Sequence, residues 1–296
     1  MYDRLLFPTD GSDGAALVFG HVLDVAAAYD ATVHVLHVAD TTRLGLIQLA
    51  DQDRVATSLV REGELLVREA ADRARAHGVD VVTAVVRGDP ATEIASHAAA
   101  ERVDLVVMPT HGRRGLARLL LGSTTEGVLR GAETPVLTVR PSEETRLTFP
   151  YRSVLVATDG SEPADRALEH GVAVAAETGA ALHLLTVVET GPSTGPGGVD
   201  GAAGAMATDA ERVVESARTT ARAAGVDPVD AAVVSDPSVH EAIAAYVESE
   251  AVSLVVVGTH GRSLLDRPVL GSVTDHLVRT ATVPVLAVPP ADPSRA

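Results

Sequence analysis

Leu5-Leu6-Phe7-Pro8-Thr9-Asp10-Gly11-Ser12 is a short apolar run that stops on a turn and opens a helix, and it occurs twice. The second occurrence is Leu155-Val156-Ala157-Thr158-Asp159-Gly160-Ser161, in phase at Asp10 and Asp159, 149 residues apart. The same offset carries Thr110-His111-Gly112-Arg113 onto Thr259-His260-Gly261-Arg262, Leu121-Gly122-Ser123 onto Leu270-Gly271-Ser272, and Pro135-Val136-Leu137 onto Pro284-Val285-Leu286. One offset kept over so many matches means a duplication. Between them, Gly78 and Asp89-Pro90 meet Gly225 and Asp236-Pro237 at an offset of 147, so the second copy loses two residues and later regains them, as loops allow. The expected boundaries are a first domain over 1–141, a linker over 142–150 between Pro141 and Pro150, and a second domain over 151–296.

Working outward from the opening run, each copy alternates strand and helix. In the first, strands are predicted at 4–9, 31–38, 79–86, 105–108 and 136–139. Helices are predicted at 13–29, 52–77, 90–102 and 123–130, the second of them ended by Gly78. The strands are rich in Val and Leu and read as apolar on both faces, which marks a parallel sheet covered on both sides. Five such strands with helices between them predict an α/β fold, here two tandem doubly wound domains of Rossmann-like type. The final strands each follow a proline, as an edge strand allows.

Composition excludes several chemistries. The 296 residues contain no cysteine, and all 24 basic residues are arginine. Thiolate nucleophiles, disulfides and Cys-ligated metals are therefore absent, as are the lysine of a phosphate-binding P-loop, the strand lysine of protein kinases and any Schiff-base lysine. The formal charge of −16 argues against a nucleic-acid partner. No apolar run reaches the roughly 18 residues of a membrane span. The cytoplasm is the expected location. Many carboxylates without lysine form the surface expected of a protein that works in concentrated salt, where screening relieves self-repulsion; a GC-rich genome trades Lys for Arg as well.

In an open parallel sheet ligands bind beyond the carboxyl ends of the strands. That places Thr9-Asp10 and Asp159 after the first strand of each copy, and 109–123 and 258–272 after the fourth. The latter stretch of the second copy runs Gly258-Thr-His-Gly261, nine residues, Gly271-Ser272. Its glycines let backbone come close to a ligand, and Gly271-Ser272 opens a helix whose free N–H groups and partial positive charge suit a phosphate. This cradle needs no lysine.

The segment resembles the nucleotide-binding signature of the universal stress protein family, and the resemblance extends over nearly the whole chain, once per copy. It implies an adenine nucleotide, ATP above all, with Mg²⁺ accompanying the phosphates and no confident metal ligand from the protein. In the second copy it assigns the nucleoside to Asp159 and the backbone at Val187, and ribose and phosphates to Gly258, His260, Gly261, Arg262, Gly271, Ser272, Val273 and Thr274. In the first it assigns Thr9, Asp10, Val38, Pro109, His111, Gly112, Arg113, Gly122, Ser123 and Thr124. There Pro109 replaces the first glycine, which removes an N–H and restricts φ, so the first site is expected to be the weaker. The resemblance further implies pairing of the two copies into an intramolecular pseudo-dimer, leaves room for a homo-oligomer, and names no protein partner.

Each of these residues also has a plainer reading. Asp10 and Asp159 suit the cap of the helix that follows. His111 and His260 have no nucleophile elbow beside them, and no catalytic residue is assigned. His21, His34, His170 and His183 recur because the copies do, and His34 and His37 fall on opposite faces of one strand, unable to share a metal. Arg113 and Arg262 suit either a phosphate or solvent. The Gly/Pro/Ala-rich 191–206 stretch beside the second site reads as disordered or as a lid. The expected function is an ATP-binding stress-response switch or adaptor without defined turnover; a nucleotide-free scaffold and a weak ATPase are the alternatives. An α-hydrolase of the adenine-nucleotide type would need a Ser-Gly-Gly-x-Asp-Ser loop after strand one, where Asp10-Gly11-Ser12-Asp13 stands. No sequence feature supports a flavin.

Overall fold

Buried residues follow one another without alternation along the strands Leu105–Pro109, Val136–Val139, Leu254–Gly258 and Val285–Val288, which requires cover on both faces there, while Val81–Gly88 and Val229–Asp236 are only partly buried. The computed structural model describes residues 1–42, 49–112, 121–190, 199–260 and 270–290. They divide into two units, Met1–Thr145 and Arg146–Ala296. The first holds β1 (Arg4–Pro8), α1 (Asp13–Tyr29), β2 (Thr32–Asp40), α2 (Leu49–Ala76), β3 (Val81–Gly88), α3 (Pro90–Ala100), β4 (Leu105–Pro109), α4 (Ser123–Gly131) and β5 (Val136–Val139). The second holds β6 (Ser153–Ala157), α5 (Glu162–Thr178), β7 (Ala181–Glu189), α6 (Val199–Ala223), β8 (Val229–Asp236), α7 (Val239–Ser249), β9 (Leu254–Gly258), α8 (Ser272–Thr280) and β10 (Val285–Val288).

Within the first unit the strand order is β3-β2-β1-β4-β5, and every pair is parallel. The second unit repeats it as β8-β7-β6-β9-β10. The chain leaves β1 toward β2 and β3, then returns to β4 on the other side, so the connections diverge between β1 and β4. That divergence is the switch point where a doubly wound sheet leaves a crevice. At the opposite end the same strand pair is pinned by Asp104, whose Oδ2 accepts from the N–H of Asp3 and Arg4 at 2.8 and 2.9 Å. Ser253 Oγ plays that part in the second unit, within 3.1 Å of the Arg152 and Ser153 nitrogens.

Few aromatics are available, so the core is aliphatic; Leu5, Leu6, Leu23, Leu36, Leu105, Leu155, Leu182 and Leu184 are among its fully buried side chains. Phe7 and Phe19 stack at 4.7 Å between β1 and α1. The histidines of β2 do face opposite ways. His34 lies against His97 of α3, and the His37 ring lies beneath Gly63 of α2. Among the described residues no group of three or more His, Asp or Glu could hold a metal ion.

Two expectations are corrected. β3 begins at Val81, two residues late, because Val79 still belongs to the end of α2. Its N–H returns to Ala74 O at 3.0 Å across Gly78 at φ +73°, a helix stop that uses the residues first read as strand. Nor do Asp10 and Asp159 cap the first helices. The cap positions are Ser12 and Ser161, and each aspartate closes the turn before them by accepting from the serine N–H at 3.0 Å. The unit boundary falls inside the expected linker. Arg146 is tied to the second unit through Thr282 O at 2.7 Å and Glu248 at 3.1 Å.

Candidate functional site

The turn after β1 is built by its own sequence. Thr9 Oγ1 accepts from the Gly11 N–H at 3.2 Å, Asp10 Oδ1 from Ser12, and Gly11 takes φ +72°, which glycine allows. The Thr9 carbonyl is held from β2 by His37 Nδ1 at 2.8 Å. Asp10 is thereby aimed at the end of β4: a Cβ on Gly112 would run into Asp10 Oδ2, so a side chain there would displace the carboxylate.

The stretch after β4 is clamped at both ends. Thr110 N–H donates to Val139 O at 2.9 Å, and Gly122 N–H returns to Thr110 O at 2.8 Å. Thr125 Oγ1 donates to Pro109 O at 3.0 Å, which fixes the first turn of α4 to the strand end. Gly122 is the cap residue of α4 and brings no side chain to that end. The first-turn N–H groups are left for a ligand, with Ser123 exposed and Thr124 half-buried beside them.

Between these parts lies a cavity of about 580 Å³. Thr9, Asp10, Val38, Pro109, His111, Gly112, Gly122, Ser123 and Thr124 all line it, so nine of the ten residues assigned in the first copy meet on one surface. The tenth, Arg113, lies outside the described residues. Other lining residues were not singled out from sequence: Leu36, Asp40 and Thr42 from the end of β2, Asp89, Pro90, Ala91 and Ile94 from the start of α3, and Met108. Asp89-Pro90 was legible as a helix start, and only the sheet order brings that start to the crevice. Asp89 caps α3 through the Thr92 N–H and Oγ1, and those bonds hold its carboxyl below the ordinary carboxylate range.

The described lining carries the carboxylates of Asp10, Asp40 and Asp89 and the imidazole of His111, with no arginine among the described residues. His111 Nδ1 lies 3.2 Å from Thr110 Oγ1, which leaves Nε2 for a ligand. Burial, then the Arg140 guanidinium, push its pKa down and disfavour the charged ring. A polyanion here must draw on helix N-termini, an added cation or residues of 113–120, which lie outside the described residues.

The second unit repeats the frame. Asp159 closes the turn after β6; Thr259 N–H meets Val288 O at 2.9 Å, Gly271 N–H meets Thr259 O at 2.8 Å, and Thr274 Oγ1 donates to Gly258 O at 2.7 Å. His260 Nδ1 lies 2.9 Å from Thr259 Oγ1. Gly271 caps α8 with no side chain, ahead of Ser272 and Val273, while Val187 sits near the end of β7 opposite Val234. Gly261, Arg262 and residues 191–198 of the anticipated lid lie outside the described residues. So the described assigned residues stand at the same strand and helix ends in both units.

Fold and site together define a duplicated doubly wound α/β protein, with a cavity at the switch point of the first unit and the same strand and helix ends repeated in the second. The sequence model of the universal stress protein family matches residues 1–140 and again 150–289, and the chain belongs to that family. A universal stress protein of Methanocaldococcus jannaschii is 35% identical over 146 residues, 49% of this chain and 86% of its own length. One from Mycolicibacterium smegmatis is 28% identical and aligns over 90% of both chains, so it shares the tandem arrangement. The crystal structure of a universal stress protein from Archaeoglobus fulgidus superposes with a TM-score of 0.73 at 26% identity, covering 97% of this chain and 98% of that one. No helix among the described residues is long and apolar enough to cross a membrane.

Proposed function

We propose that this universal stress protein binds an adenine nucleotide, ATP foremost, and acts through the bound state as a switch or adaptor rather than through turnover. The observation that carries the reading is the first unit's cavity, on whose wall nine separately assigned residues converge. Its size suits a nucleotide, since small-molecule sites span about 300–1,000 Å³. Asp10 and the β2 end at Val38 would hold the nucleoside; the uncapped start of α4 and the glycine backbone at 112 and 122 would hold ribose and phosphates. Mg²⁺ belongs to the proposal because the described wall is acidic and the phosphates would need a counter-ion. The proposal includes pairing of the two copies within one chain and a location in the cytoplasm.

Calorimetric titration of ATP with magnesium, in molar potassium chloride, tests it. Saturable binding and no phosphate release above background are the expected results. A folded chain, shown free of retained nucleotide, that takes up none would turn the reading to a nucleotide-free scaffold.

A further inference from the structure

In the first unit α3 and α4 touch at Ala91 and Gly127. A Cβ on Gly127 would fall 2.5 Å from the Ala91 Cβ, so a side chain there would push the two helices apart. The helices of the second unit match these at an offset of 149: Asp89 and Ser238 cap α3 and α7, and Gly122 and Gly271 precede α4 and α8. The residues matching Ala91 and Gly127 are therefore His240 and His276. Their rings stack with centroids 3.7 Å apart and planes inclined by 33°. A contact between two of the smallest residues has become a stack of two titratable rings, and α7 and α8 approach each other less closely than α3 and α4 do.

The stack sits where the fold gives it leverage. The starts of α3 and α4 both line the first unit's cavity, Ala91 included, and the rings stand between the matching starts of α7 and α8. Both rings are half-buried, and His240 Nε2 lies 3.2 Å from the Oγ of the cap Ser238. Among the described residues, the charges facing His276 are Glu241 on α7 and Asp275 on α8. Arg279 is committed to Asp275 by bonds of 2.8 and 2.9 Å, and Asp236 at the end of β8 accepts from the Ser238 N–H at 2.8 Å. Burial, then His240, push the His276 pKa down, opposed by Asp275 and Glu241. One proton suits this pair, since the two carboxylates favour it. A second does not, because two imidazolium rings at this separation repel each other in a half-buried site.

We infer that His240 and His276 form an acid-sensitive spacer between α7 and α8: the stack stays closed with one proton, and a second proton parts the rings and with them the two helix starts. Ala91 and Gly127 offer nothing to titrate, so acid opens this helix pair and spares α3 and α4. No bound ligand is required, and the inference stands or falls apart from the function proposed above.

Histidine ring signals, followed by NMR in the full chain from about pH 8 to about pH 4.5, test the coupling. The pair is expected to titrate in two steps at least about one pH unit apart, with the lower step lost in His240→Gln and in His276→Gln alike. Uncoupled rings would lose a different step in each variant, and that result, or a single shared step, would overturn the inference. Hydrogen exchange, corrected for the intrinsic pH dependence of the chemistry, reads the helices. Protection of α7 and α8 is expected to fall by about tenfold or more between about pH 7 and about pH 4.5, while α3 and α4 of the same molecule hold theirs. The fall should vanish in His276→Gln, and in His240→Ala with His276→Gly, which transplants the first unit's contact. The glutamine variant fills the space without the charge and keeps the test decisive if the double variant fails to fold. No fall in the unaltered chain, a fall shared by α3 and α4, or one that persists in a folded His276→Gln chain would each remove the spacer and assign any acid response to other groups.

Discussion

At the scale of single residues, the two copies provide controls for each other. Ser12 caps α1 with its Oγ accepting from the Ala15 N–H at 3.2 Å. Ser161 holds the same backbone conformation ahead of α5, yet its buried Oγ has no hydrogen-bond partner among the described residues. Pro163 removes one of the two N–H groups that a capping serine can reach. Ser12→Ala should cost about 1 kcal/mol in urea unfolding, whereas Ser161→Ala should be neutral or stabilising, within about 0.5 kcal/mol. Equal losses at both positions would contradict this account. His21 offers a second contrast. Buried in α1, it has its pKa pushed down to about 4 by desolvation, partly opposed by Asp24. The unfolded chain therefore binds the proton that the folded chain rejects. The His21 contribution is complete above pH 6.5 and is lost as the pH falls toward 4, an acid penalty on the order of 3 kcal/mol. Unfolding free energies over that range should flatten in His21→Gln; an unchanged slope would assign the acid sensitivity to other groups. Much of the site was legible at this scale because Thr9-Asp10-Gly11-Ser12 dictates its own turn. What was misread was which of two neighbouring oxygens caps the helix, since aspartate and serine suit either role.

At the scale of elements, the strand-to-helix contacts explain residues that the sequence left unmotivated. Gly63 lies in the middle of α2, where glycine weakens a helix. A Cβ there would fall 2.3 Å from His37 Cδ2, and the ring cannot retreat while its Nδ1 holds the Thr9 carbonyl. In the second unit Thr186 replaces His37 and holds the Thr158 carbonyl at 2.9 Å, and the matching helix position is the buried Ala210. A large ring with a glycine has been exchanged for a small side chain with an alanine. Gly63→Ala should destabilise the first unit by about 1–3 kcal/mol, and His37→Thr with Gly63→Ala should recover most of it. Additive losses in that double-mutant cycle would show that the two residues do not share the space. Strand and helix identities were readable from apolar runs and stop signals. Their ends were less so, because Val79 looks like a strand residue and is spent on closing α2. The contribution of β2 and α3 to the cavity was unreadable for another reason: it depends on strand order, which no local pattern encodes.

At the scale of the whole molecule, the duplication was legible because both copies kept one offset through every strand end that carries the site. Differences such as Pro109 against Gly258 were visible in the sequence, but the closeness of Gly258 to the Pro163 backbone is a matter of contact and needed coordinates. Charge works at this scale too. Forty carboxylates against 24 arginines leave −16, and many of the ion pairs are exposed, three or four residues apart on one helix, where each is worth little. The net repulsion is spread over the surface and is strongest at low ionic strength. Raising potassium chloride from about 0.1 to 1 M shortens the screening length from roughly 10 to 3 Å, less than the spacing of most surface charges. Repulsion should then fall faster than the few local pairs weaken, and the melting temperature should rise through that interval. A rise that levels off by about 1 M would be the signature of screening. A continued rise at higher salt, or one obtained only with sulfate, would point instead to stronger burial of apolar surface. A flat or falling curve would remove salt adaptation as the reason for this composition and leave arginine-for-lysine exchange to the coding bias of the genome.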